Sequence, residues 1–203
     1  GLWPAEGAVS TAFLREVAAG GVQWLASSET VLSNSLNAHA PAARSDGWLY
    51  RAWQVEGAPG VTLLFRDERL SDQIGFEYSK WHGRDAALHL IGQLEKIAAS
   101  AAPGTTPTVL IALDGENAWE YYPYNGFYFF EELYTALAAH PSIRTHTMSG
   151  WLDQAAAASA PARLPALAAG SWVLGTLSTW IGEAGKNRAW DLLCAAKQTY
   201  DEV

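Results

Sequence analysis

Two spacings of apolar residues alternate along this chain. Short runs that are apolar throughout mark buried strands, and stretches with apolar positions every three to four residues mark amphipathic helices. Ser10 to Ala19 has helical spacing, with Ser10 placed to cap it and Gly20-Gly21 to stop it. Val22 to Ala26 then predicts a strand and Val31 to Ala38 a helix, while Ala40 to Glu56 follows neither period and reads as an irregular, tryptophan-rich stretch. Behind Pro59-Gly60, Val61 to Phe65 predicts a second strand, followed by helices over Ser71 to Lys80 and Arg84 to Ser100. A break at Ala102 to Pro107 leads into Thr108 to Leu113, which has the pattern of a fully buried strand. Further on come a helix over Gly126 to Ala139 capped by Asn125, a short strand over Ile143 to Thr147, and a linker or irregular arm over Ala155 to Ala169. The last element is a closing helix over Asn187 to Tyr200, expected to pack on the rest with Trp190 as a structural residue and Cys194 as a buried thiol.

Strands that alternate with helices pair in parallel through βα units, which predicts an α/β layer or barrel with both strand faces covered. In such folds the reactive groups sit in loops leaving the carboxyl ends of the strands. At 203 residues one domain is the default. Residues 1–150 read as its (β/α) part and 151–203 as a helical or irregular part of the same region.

Composition narrows the partners. A hydrophobic fraction of 49% with 12% aromatics excludes a disordered chain, and a single cysteine excludes a disulfide scaffold. The net charge of −8 argues against nucleic acid, which is held by phosphate neutralisation. No apolar run is long enough for a membrane span. Five histidines lack metal-ligand spacing with one another, so neither metal nor cofactor is implied. No signal peptide is legible, and localisation stays open, with the cytoplasm favoured. Ten tryptophans, four of them (Trp48, Trp119, Trp151 and Trp190) next to Gly, Asp or Glu, exceed what an ordinary core of this size needs.

The candidate chemistry starts after the strand ending at Leu113. The segment LDGENAWEYYPYNG carries Asp114, Glu116 and Glu120 among Trp119, Tyr121, Tyr122 and Tyr124. Its carboxylates suit a metal or the first turn of a helix, but beside so many aromatics they also suit a sugar. An apolar ring face stacks on an indole or phenol while its hydroxyls bond to carboxylates. Cleavage of a glycosidic bond needs a second carboxyl group across the scissile bond. Glu6 in GLWPAEGAVS lies just before a helix start and is the candidate, although a glutamate there also reads as a solvated loop residue.

WPAEG, LDGENAWEYYP and GSWVLGTLSTWIGEAGKNRAWDLL, in that order, resemble glycoside hydrolase family 57, and its amylopullulanase-like members most of all. FRDERLSDQIGFEYSKW is similar to a further family segment. The resemblance implies a distorted seven-stranded (β/α) barrel with a C-terminal helical segment, seen here from the nucleophile segment onward and lacking an N-terminal part of the catalytic domain. It implies retaining hydrolysis of α-glucans, α-1,4 and also α-1,6 linkages, with Glu6 as nucleophile and Asp114 as acid/base. The same pair serves glucan transfer in glucanotransferases and branching enzymes, so transfer stays open, as do a non-catalytic carbohydrate-binding protein and a metal-dependent hydrolase. Substrate contacts are assigned to Trp3, Glu29, Asp72, Glu116, Trp119, Trp151 and Trp172. Each has a structural reading beside it: core indoles for the tryptophans, a first-turn helix residue for Glu29, and an ion pair with Arg66 for Asp72. The family places a polar residue soon after the Trp of GSWVLG, where this chain has Val173, Leu174 and Gly175.

Overall fold

The computed structural model describes residues 1–115, 117–158 and 160–202, with the side chains of residues 117–118 and 155–158 also left aside. Its sheet has four strands: β1 (Trp24–Ser28), β2 (Trp53–Val55), β3 (Thr62–Arg66) and β4 (Ala162–Leu164), in the order β1-β3-β2-β4. β1 and β3 run parallel in register from Trp24 opposite Thr62 to Ser28 opposite Arg66, β2 joins β3 antiparallel, and β4 joins β2 in parallel. The helices are α1 (Thr11–Ala19), α2 (Glu29–His39), α3 (Glu68–Asp72), α4 (Gly83–Ser100), α5 (Asn117–Glu120), α6 (Phe127–Ala139), α7 (Met148–Ala158) and α8 (Ala184–Asp201). The α/β architecture of the sequence reading is present, with four strands in the described residues.

Local chemistry sets several boundaries where the spacing put them. The Ser10 hydroxyl accepts from the Phe13 amide at 3.2 Å to start α1, and Ser28 does the same for Val31 at 3.3 Å at the start of α2. At α6 the cap differs from the expected Asn125. Gly126 occupies it in the left-handed region at φ 79°, where a Cβ would stand 3.2 Å from Trp119 and 3.3 Å from Phe130.

The buried apolar residues form two cores. One packs Leu14 of α1 and Val31, Leu32 and Leu36 of α2 against Leu25, Leu63, Phe65 and the fully buried Trp53. The other packs Leu90 and Ile91 of α4 against Phe129 and Leu133 of α6, and it takes in Tyr78, Tyr122 and Val109, Ile111 and Leu113. Tyr50 packs against both.

Five expectations need correction. Thr108 to Leu113 forms a single parallel bridge, Arg66 with Leu110, not a strand, because β2 already occupies the edge of β3 at Leu63 and leaves only its end free. Ser71 to Lys80 is not one helix. After α3 the backbone widens into a π turn over Gln73–Glu77 and tightens again over Tyr78–Lys80, and the Tyr122 hydroxyl donates to the Ile74 carbonyl at 2.5 Å inside that turn. Ile143 to Thr147 is irregular, whereas the stretches read as irregular contain β2 and β4, strands of three residues too short to show a period. Finally, α8 buries none of its described residues, so Trp190 and Cys194 are exposed, and the Trp190 indole donates to the Trp180 carbonyl at 2.9 Å.

Candidate active site

Four segments lie side by side and point the same way: Leu2, β1, β3 and Leu110, the outer two joined by isolated parallel bridges to Leu25 and Arg66. Beyond their carboxyl ends come Glu6, Glu29, Asp67 with Glu68, and Asp114. Parallel pairing therefore collects at one end of the sheet residues that are more than a hundred positions apart.

Glu6 is held from three sides. It sits in the turn Ala5–Gly7 with φ 57°, a left-handed conformation that costs a residue with a Cβ on the order of 1 kcal/mol or more. Gly7 continues the turn at φ 59° and offers its carbonyl to the Ser27 hydroxyl at 2.7 Å, which ties the turn to β1. A short antiparallel ladder runs alongside. Val9 and Gly170 exchange backbone bonds at 2.8 and 3.0 Å, and the Trp172 amide donates to the Glu6 carbonyl at 3.0 Å. That ladder delivers the Trp172 indole, whose Nε1–H donates to Glu6 Oε2 at 2.6 Å. A charge-assisted bond of this kind fixes the carboxylate and leaves Oε1 without a hydrogen-bond partner among the described residues. Trp3 meets Trp172 edge to face, centroids 5.2 Å apart.

Arg66, 7% exposed, is the hub beneath Trp172. Its guanidinium carbon lies 5.0 Å from the centre of the Trp172 ring, Nη1 donates to the Ala112 carbonyl at 3.1 Å, and Nη2 pairs with Asp72. One cation thereby links the indole that holds Glu6 to the segment that leads, through Leu113, to Asp114. Its Nε is buried without a partner among the described residues. Asp114 itself is exposed.

The other sequence candidates divide by what they touch. Asp72 faces Arg66, the ion pair named beforehand. The Glu29 carboxylate accepts from the Glu68 amide at 3.2 Å, while Glu68 accepts from the Thr30 amide at 3.0 Å and hydroxyl at 2.8 Å. The two helix starts thus cap each other. Burial, opposed by that amide bond and reinforced by Asp67 and Glu68, raises the Glu29 pKa above 4.5. Trp119 stacks into the second core, 4.3 Å from Phe130 and 5.2 Å from Tyr122. The Trp151 indole donates to Thr108 at 3.2 Å, at the start of the segment that ends on Asp114. Glu116 lies outside the described residues.

A cleft of about 410 Å³ is walled by Trp3, Trp24, Ala26, Leu110 to Leu113 and Met148. Trp24 and Met148 were missed by the sequence reading, and only the sheet order reveals them. The wall is mainly apolar, and the Trp24 Nε1 inside it has no partner among the described residues.

A family model described as glycosyl hydrolase family 57 matches residues 1–161. The chain belongs to that family. Among solved structures, this family member is similar to a 4-alpha-glucanotransferase from Thermococcus litoralis, with 16% identity and a TM-score of 0.58. The match covers 82% of this chain and 24% of that one, so the chain spans about a quarter of the length of that enzyme and shares its fold. No curated protein matches the chain.

Proposed function

We propose that this family 57 chain works within a retaining enzyme acting on α-glucans, with Glu6 as nucleophile and Asp114 as acid/base. The observation that carries the reading is the treatment of Glu6: a strained turn, a charge-assisted bond to one carboxylate oxygen, and the other oxygen left open. In the first step Asp114 gives its proton to the glycosidic oxygen while Glu6 Oε1 attacks the anomeric carbon. The bond to the leaving sugar breaks and a glycosyl ester on Glu6 forms. In the second step Asp114, now a carboxylate, takes a proton from the incoming acceptor, whose oxygen bonds to the anomeric carbon as the ester bond to Glu6 breaks. Trp172 supports both steps by holding Oε2 and by stabilising the negative charge that returns to Glu6.

Water as acceptor gives hydrolysis, and a glucan hydroxyl gives transfer. Assaying maltooligosaccharides and pullulan for both reducing ends and redistributed chain lengths separates the two. Glu6→Gln and Asp114→Asn each abolish both products under this proposal. Undiminished activity in either variant removes that residue from the mechanism. A retaining pair also requires carboxyl groups roughly 5 to 5.5 Å apart in a substrate complex, and a spacing of roughly 6.5 to 9.5 Å would assign inversion instead.

A further inference from the structure

Past Asp114 the chain spends backbone strain on an aromatic surface that neither core uses. Tyr124 and Asn125 both stand at φ 53°, in the left-handed region, and the Tyr124 ring so presented is 77% exposed. It meets Tyr128 edge to face at 5.4 Å, Tyr128 meets Phe127 at 5.3 Å, and Tyr121 stands 76% exposed on the same loop. The loop is anchored from behind, by the Tyr122 hydroxyl on the Ile74 carbonyl and by Trp119 against Phe130, so these outer rings are not needed to hold it. Left-handed backbone at a bulky residue persists only where surrounding structure enforces it, and it concentrates at binding sites. Among the described residues the non-glycine positions with positive φ are Glu6, Tyr124, Asn125 and Leu174. Glu6 is the proposed nucleophile, and Leu174 follows two residues after the indole that holds it.

The chemistry of the surface selects its ligand. Of eight exposed large apolar side chains between Phe76 and Tyr134, seven are aromatic and the exception is Leu88. Flat aromatic rings suit the flat C–H faces of pyranose units. Phe76 and Trp81 belong to the segment between β3 and α4, Tyr121 and Tyr124 to the segment between Leu110 and α6. The first segment leaves the carboxyl end of β3 and the second follows the parallel bridge at Leu110, at the end of the sheet beyond which Glu6 and Asp114 come.

We propose that Tyr121, Tyr124, Phe127 and Tyr128 form a stacking platform for an α-glucan chain, outside the cleft, that holds glucose units remote from the bond being cleaved. The inference rests on the α-glucan reading above. It is tested by binding and not by turnover, so the two fail separately. The full chain is run through native gels containing amylose, and its affinity for maltoheptaose and maltotriose is measured by titration calorimetry. The expected result is retardation by amylose, with weaker retardation and a roughly tenfold lower maltoheptaose affinity for each ring removed in Tyr124→Ala and Phe127→Ala. Maltotriose affinity is unchanged, and Tyr124→Phe behaves as the parent because it keeps the ring. Glu6→Gln and Asp114→Asn retain the retardation. Circular dichroism shows the alanine variants folded, as expected for side chains outside the cores. A parent that amylose does not retard, or alanine variants retarded as strongly as the parent, overturns the platform. A Tyr124→Phe variant as weak as Tyr124→Ala overturns stacking as its basis.

Discussion

At the scale of single residues, Trp172 changes meaning most. Taken alone it reads as a sugar platform, yet its Nε1–H is directed at a carboxylate 166 positions away in sequence. A bond to a charged group is worth about 1.5 to 3 kcal/mol. Trp172→Phe keeps an aromatic ring but deletes the donor, so kcat on maltooligosaccharides should fall roughly 10- to 150-fold with little change in melting temperature. An undiminished kcat would show that the bond contributes nothing to turnover. Arg66 is the companion case. The ion pair with Asp72 that the sequence suggested is present, and the same guanidinium lies under Trp172.

At the scale of elements, the reciprocal caps between α2 and α3 carry a pH signature. Burial raises the folded-state pKa of Glu29 above its ordinary 4.5. The folded protein then holds a proton that the unfolded chain has lost, so the stability contributed by protonated Glu29 is complete below 4.5. It is lost as pH rises to the raised value. Glu29→Gln keeps an oxygen for the Glu68 amide and removes the ionisation. Denaturant titrations from pH 4 upward should therefore give a flatter stability profile for this variant than for the parent. A second element-scale prediction concerns α8, which buries none of its described residues. Deleting residues 184–203 should leave the melting temperature within a few degrees of the parent, and a large drop would show that the helix packs in solution.

At the scale of the whole molecule, three tyrosines tie the two cores to alkaline stability. Burial raises Tyr50, with Asp67 adding to it, and likewise Tyr122, and it pushes Tyr78 up to about 12. Their unfolded counterparts titrate near 10.0, so between that pH and the raised values the unfolded state sheds protons that the folded state keeps, and stability falls as pH rises. Phenolate absorbance should show three of the eight tyrosines lagging until the protein unfolds. A single transition of all eight near pH 10 would contradict that burial.

Much was legible because it depends on neighbours in the chain. Ser10 caps α1 as read, β1 and β3 fall within two residues of the predicted runs, and WPAEG with DGEN pointed to the family whose model matches residues 1–161. Local spacing and capping depend on residues three or four apart, and a string of letters contains those relations. Contacts across the fold follow from pairing order instead. Whether Thr108 to Leu113 becomes a strand depended on β2 taking the edge of β3, and the spacing of α8 does not tell that it buries none of its described residues. The partner of Glu6 depended on a ladder that brings Gly170 and Trp172 beside residues 6–9. The sequence by itself determined the α/β alternation, the helix starts and the family; the tertiary structure alone decided which indole grips Glu6, that Arg66 joins two loops, and that the rings after Asp114 face outward, because each is a contact between residues that only the packed sheet makes neighbours.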